Sequence, residues 1–87
     1  MRVRVDVVCL PHSQEEIESA LRAAGEQLAM RKESVSVEMY PAEPRLAVLE
    51  FEMRQMTQAA AVDEIARTVK QWAWAFYEGI TVRFSQL

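Results

Sequence analysis

The chain has one cysteine, two glycines, one histidine and no asparagine. A lone cysteine, Cys9, excludes an internal disulfide and any cysteine-based zinc or iron–sulfur site, and it fits a reducing cytoplasm. Gly25 and Gly79 lie far apart, which rules out a glycine-rich phosphate cradle, and there is no nucleophile elbow. No apolar run approaches the ~18 residues that a membrane span needs. The amino end reads as a strand from Arg2, without a secretory pattern. A basic excess is also missing: Lys and Arg number 10 against 13 Asp and Glu, for a net charge of −3. The two signs are interspersed, so no basic stripe announces DNA or RNA.

What the chain does have is a globular composition, 51% hydrophobic and 26% charged, and the size of one domain, residues 1–87. A chain this small buries somewhat over ~60% of its unfolded surface and gains from burial against a second copy. The Ala- and Arg-rich composition without asparagine has a bacterial colour.

The apolar residues follow a rhythm that changes repeatedly. Residues Arg2–Val8, Ser34–Tyr40, Arg45–Met53 and Ile80–Phe84 alternate, as half-buried strands do. Ser13–Met30 and Thr57–Tyr77 repeat at helical spacing. Ser13 with Glu16 forms a capping box at the first helix, whose stripe is Ile17, Ala20, Leu21, Ala24 and Leu28. Gly25 lies beside that stripe and permits a close approach to the sheet, while Arg31 and Lys32 fall at the negative end of the helix dipole. Pro41–Pro44 reads as a hairpin turn. Thr57 is a suitable N-cap and Gly79 a C-terminal stop for the second helix, with a stripe of Val62, Ile65, Ala66, Val69, Trp72, Ala73 and Phe76. The order strand–helix–strand–strand–helix–strand resembles the ferredoxin-like superfold, an α+β βαββαβ two-layer sandwich. That resemblance implies a four-stranded antiparallel sheet with both helices on one face.

If both helices cover one face, the other meets solvent, a ligand or a partner. Parity turns Val3, Val5, Val7, Leu49, Phe51 and Met53 inward. Arg2, Arg4, Asp6 and Val8 face outward, with Leu46, Val48, Glu50 and Glu52, with Ser36, Glu38 and Tyr40, and with Thr81, Arg83 and Ser85. A register pairing Arg2 with Glu52 and Arg4 with Glu50 also pairs Val8 with Leu46. The open face is then charged at one end and apolar at the other, with Val8, Tyr40, Leu46 and Val48 as the patch. RNA-binding domains of this topology carry stacking aromatics on the central strands. Here those positions hold Arg, Asp, Glu and aliphatics.

The run Trp72–Tyr77 is too aromatic for one helix face to absorb, which leaves Trp74, with Tyr77 at the margin, as an outward anchor suited to an interface. The plain alternative for Trp74 is stacking on Lys70 or a loop. In the first loop, Cys9, His12 and Ser13 lie at a helix amino end, where a thiol can be activated. Acylphosphatases share the element order, but the loop Leu10–Ser13 lacks their glycines and arginine, and the chain has no asparagine. Metallochaperones use two cysteines in this loop, where this chain has one. Parity makes Cys9 a core residue.

These observations describe a small cytoplasmic, non-catalytic protein that works by association, as a homo-oligomer or by docking on a partner protein. The reading calls for no cofactor, metal, DNA or membrane. One alternative is a ligand-binding protein or enzyme whose site forms between sheet faces of a dimer, from Arg4, Glu38, Glu50 and Arg83. A further alternative is association with RNA or the ribosome, against which the acidic balance argues.

Overall fold

A computed structural model describes residues 1–10, 14–40, 45–73 and 77–85, with residues 73, 77 and 78 described through their backbone. The elements are β1 (Arg2–Cys9), α1 (Gln14–Leu28), a short 3-10 turn (Lys32–Ser34), β2 (Ser36–Tyr40), β3 (Leu46–Glu52), α2 (Gln58–Ala73) and β4 (Tyr77–Ser85). The sheet order is β2-β3-β1-β4, and every neighbouring pair is antiparallel. This is the ferredoxin-like βαββαβ sandwich that the rhythm predicts.

The register of the central pair follows from parity. Arg2 lies opposite Glu52, Arg4 opposite Glu50 and Val8 opposite Leu46. A slip of one residue would turn every apolar side chain of β1 to the wrong face, so burial specifies the register strongly. Val3, Val5, Val7, Leu49, Phe51 and Met53 are buried on the inner face. Ile17 and Leu21 of α1 and Ala61, Ile65 and Val69 of α2 complete the same cluster, so both helices share one core with one face of the sheet.

Gly25 is where α1 comes nearest to that face. A β-carbon there would stand 2.8 Å from Leu49 Cδ1 and 2.8 Å from Val35 Cγ1. Only a residue without a side chain allows this helix–sheet distance. At the start of α2, Thr57 Oγ1 accepts the Ala60 N–H at 3.2 Å, the expected N-cap. Beyond the end of the β2–β3 ladder, Met30 N–H donates to Glu52 O at 2.9 Å and Glu52 N–H donates to Ser34 Oγ at 3.2 Å. The free backbone groups of Glu52 thus find partners outside the sheet.

Several expectations are corrected. Helix α1 ends at Leu28, so Arg31 and Lys32 lie past it, with Lys32 beginning the 3-10 turn. The buried stripe of α2 is Ala61, Ile65, Thr68 and Val69, whereas Val62 and Trp72 are exposed, at 40% and 43%. The helix is rotated toward Thr68, which can enter the interior because its hydroxyl donates to Glu64 O at 2.8 Å. Trp72 falls on the same side as Ala61 and Ile65 by helical spacing. It sits at the last turn, where its indole Nε1–H donates to Gln27 Oε1 of α1 at 2.8 Å.

Tyr77 belongs to β4, and so does Gly79, which therefore does not act as the stop of α2. The β1–β4 register shifts between Val8, opposite Gly79, and Cys9, opposite Tyr77. The extra residue on β4 is a β-bulge. The proposed cap Ser13, the turn Pro41–Pro44, and Trp74 and Phe76 lie outside the described residues.

Candidate functional site

The outer face of the sheet is built from four rows of residues set by the three strand registers. From β2 to β4 they read Tyr40–Leu46–Val8–Gly79, Glu38–Val48–Asp6–Thr81, Ser36–Glu50–Arg4–Arg83, and finally Glu52–Arg2–Ser85 on the three remaining strands. Strand pleating alone puts these side chains on one surface. Ten residues of the chain were expected to matter, and the structure brings eight together in these rows: Val8, Tyr40, Leu46, Val48, Arg4, Glu38, Glu50 and Arg83. Trp74 lies outside the described residues, and Tyr77 is placed by its backbone at the bulged end of β4.

The apolar end is narrower than expected. Tyr40 and Leu46 are exposed, at 44% and 38%, and Val8 is half-buried. Val48, expected in the exposed patch, is only 6% exposed. It sits between Glu38 and Asp6 in register, flanked on both sides by longer side chains.

The polar part is organised around Asp6, which sequence reasoning placed outward without assigning it a part. Arg4 Nε donates to Asp6 Oδ1 at 3.1 Å, and an Arg83 guanidinium nitrogen lies 3.5 Å from Asp6 Oδ2. The cause is visible in the register: Arg4 and Arg83 stand directly opposite each other. Like charges so placed repel, and one carboxylate between them removes the conflict. The signal in the sequence is the alternation of β4, which sets Arg83 opposite Arg4 once the strand is aligned with β1.

Arg2 reaches Glu50 at 3.1 Å on the diagonal, while Glu52 lies 4.0 Å from Arg31. Tyr40 Oη donates to Glu38 Oε2 at 2.6 Å. That hydrogen bond, and then the charge of the same carboxylate, raise the Tyr40 phenol above its ordinary pKa. The hydrogen bond to Asp6, with the charge of that carboxylate, likewise raises Arg4.

Cys9 belongs to the interior. It is buried, with its thiol 3.7 Å from Val7 O, and burial raises its pKa against a smaller opposing effect of Arg45. Its proposed neighbours His12 and Ser13 lie outside the described residues. Among the described residues no group of three His, Cys, Asp or Glu is placed to hold a metal ion, and no helix is long and apolar enough to cross a membrane.

Three clefts of similar size are present among the described residues. One of about 410 Å³ is lined by Met1, Glu52, Met56 and Ser85 among others and touches the last row of the open face; one of about 440 Å³ runs along α1 beside Trp72; and one of about 460 Å³ lies between Gln27, Arg54, Glu64 and Arg67. Arg4, Glu38, Glu50 and Arg83 line none of them. What the fold defines is an α+β sandwich with one helix-covered and one open sheet face. Compared with models of protein families, with curated proteins and with solved structures, the chain matches none.

Proposed function

We propose that the protein acts by association, as a non-catalytic interaction module whose open sheet face is its docking surface and whose partner is a second copy of the chain. The observation that carries this reading is the composition of the face. Tyr40 and Leu46 remain exposed at one end, and the rest is a laid-out pattern of both charge signs. An apolar patch rimmed by polar groups is the usual build of a protein–protein surface. The small core of an 87-residue chain adds a motive, since covering one face removes apolar area that the fold alone leaves wet.

The face is modest. Four strands ~4.8 Å apart, with ladders about seven residues long at ~3.4 Å each, give roughly 450 Å² in projection. A standard interface buries ~800 Å² of accessible surface per partner. Association is therefore expected to be reversible, in the micromolar range.

Analytical ultracentrifugation from ~1 to ~300 µM tests this, the upper bound set above the affinity such a small face provides. The expected result is a concentration-dependent dimer that Leu46→Glu weakens by at least about tenfold. Lys70→Glu, exposed on α2, should leave it unchanged. A monomer throughout that range, or a dimer indifferent to Leu46→Glu, overturns the reading.

A further inference from the structure

The open face is not merely mixed in charge; its signs are divided. The β2–β3 half carries Glu38, Glu50 and Glu52, while the β1–β4 half carries Arg2, Arg4 and Arg83, with Asp6 as the one acid among its described side chains. Across the other direction the pattern runs from the apolar row Tyr40–Leu46–Val8 to the charged rows. A surface with these two gradients is self-complementary under one rotation. We infer that two copies pack sheet to sheet about a two-fold axis that runs parallel to the strands, between β1 and β3. The inference rests on the proposed self-association and adds its geometry.

That axis exchanges the two halves of the face while keeping every row in place. Each Glu50 then faces the partner's Arg4, and each Glu52 faces the partner's Arg2. Leu46 meets the partner's Val8, and Tyr40 meets the partner's Gly79, which offers no side chain to obstruct it. A two-fold contact repeats each pair, so four acid–base pairs and two apolar pairs form at once.

The other in-plane rotations fail at the apolar row. An axis across the strands seats Leu46 on the partner's Glu52, and the two diagonal axes seat it on the partner's Arg83 or Glu38. Each loses the apolar contacts of that row and places Leu46 on a charged group that gives up water for no new partner across the interface. Near-parallel strands are also the usual outcome when two sheets pack face to face, ~10 Å apart. One contact is poor in the favoured arrangement: Val48 faces the partner's Asp6. That carboxylate is already held by Arg4 and Arg83 of its own chain.

Charge reversal in two separate chains tests the axis. With Arg4→Glu alone, both cross-dimer pairs at this site become acid against acid; with Glu50→Arg alone, both become base against base. Each variant by itself should dimerise at least about tenfold more weakly than the wild type. Mixed one to one, they should form a heterodimer of near wild-type affinity, because one pair is then the original Glu50 against Arg4 and the other is the same pair with its signs reversed. Isotope-labelled or mass-tagged chains in native mass spectrometry read the mixture directly.

Reversing position 4 also sets an acid beside Asp6, and reversing position 50 sets a base beside Arg2, so urea unfolding of every variant is measured beside the mixing experiment to separate a folding loss from a docking loss. A doubly reversed chain, Arg4→Glu with Glu50→Arg, keeps opposite signs across the β1–β3 pair at this row and should pair with itself but not with the wild type. Single variants that weaken the dimer without rescue on mixing leave the face as the docking surface and overturn the strand-parallel axis. Single variants that dimerise normally overturn both the axis and the use of this face.

Discussion

Along β1 and β3, alternate residues meet two different standards of fit. Val3, Val5, Val7, Leu49 and Phe51 are covered, packed with residues of both helices in one core cluster. Their immediate neighbours Arg2, Arg4, Asp6 and Glu50 stand in ion pairs 3.1 to 3.5 Å long, and each keeps part of its side chain in water, Arg2 and Arg4 the most. The inner face is specified by volume and the outer by sign. Volume errors are not screened, whereas exposed charge pairs are weakened by solvent and salt. The stability of the fold therefore resides in one set of alternate residues, and its capacity to choose a partner in the other.

Truncation on the inner face is the strongest way to separate the two. Phe51→Ala is expected to cost about 3–5 kcal/mol, the lost transfer energy of the ring plus the cavity it leaves. A domain of this length has a total stability of roughly 4–13 kcal/mol at ~0.05–0.15 kcal/mol per residue, so the variant should be largely unfolded at moderate urea. Arg83→Ala on the outer face should change stability by no more than ~0.5 kcal/mol, because the Arg83 side chain is mostly exposed and Asp6 keeps Arg4 as a partner. Urea unfolding of the two variants makes the comparison. A Phe51→Ala loss under ~1 kcal/mol would mean that the inner face does not carry the fold.

Gly25→Ala probes the same face from the helix side, with a smaller effect of less obvious sign. Alanine improves helix propensity by ~1 kcal/mol. Its methyl group, however, would press on Val35 Cγ1 and Leu49 Cδ1. Overpacking of this kind costs ~1–3 kcal/mol, and Val35 is a β-branched residue with little freedom to turn away. A net destabilisation of ~1 kcal/mol is expected by thermal or urea unfolding. A stabilised variant would show that α1 rides higher on the sheet.

The comparison of faces also explains what could be read from the residues and what could not. The β1–β3 register was legible because parity and charge agree: only one alignment buries the valines and sets both Arg2 and Arg4 opposite glutamates. The narrow groove under α1 was legible in Gly25 for the same reason, a missing side chain within an apolar stripe. Helix α2 was misread because its apolar and small residues spread over a wide arc, and a buried threonine looks polar until its hydroxyl finds the Glu64 carbonyl.

Val48 shows the limit of parity. Alternation says which face a side chain leaves by, but its cover depends on the length of its neighbours. The importance of Asp6 was hidden because it appears only when β4 is aligned and two arginines are found opposed.

The gentlest test asks whether the outer pattern is held in place even in the monomer. Tyr40 and Glu38 alternate along β2 on the open face, and the phenol donates to the carboxylate at 2.6 Å. Ionising the phenol would lose that hydrogen bond and set two negative charges side by side, so the folded protein holds the proton more tightly than an unfolded chain does. The sign of the linkage follows: the contribution is fully present below the ordinary tyrosine pKa and is lost as pH rises through the raised folded value. Phenolate absorbance of a Tyr77→Phe chain, at a concentration too low for association, isolates Tyr40. Its midpoint should lie above the ordinary value of 10.0, and Glu38→Gln should move it down. A Tyr40 that titrates at the ordinary value with Glu38 intact would mean that the pair opens in solution. The outer face would then be an array of independent charges, ordered only when a second copy supplies their partners.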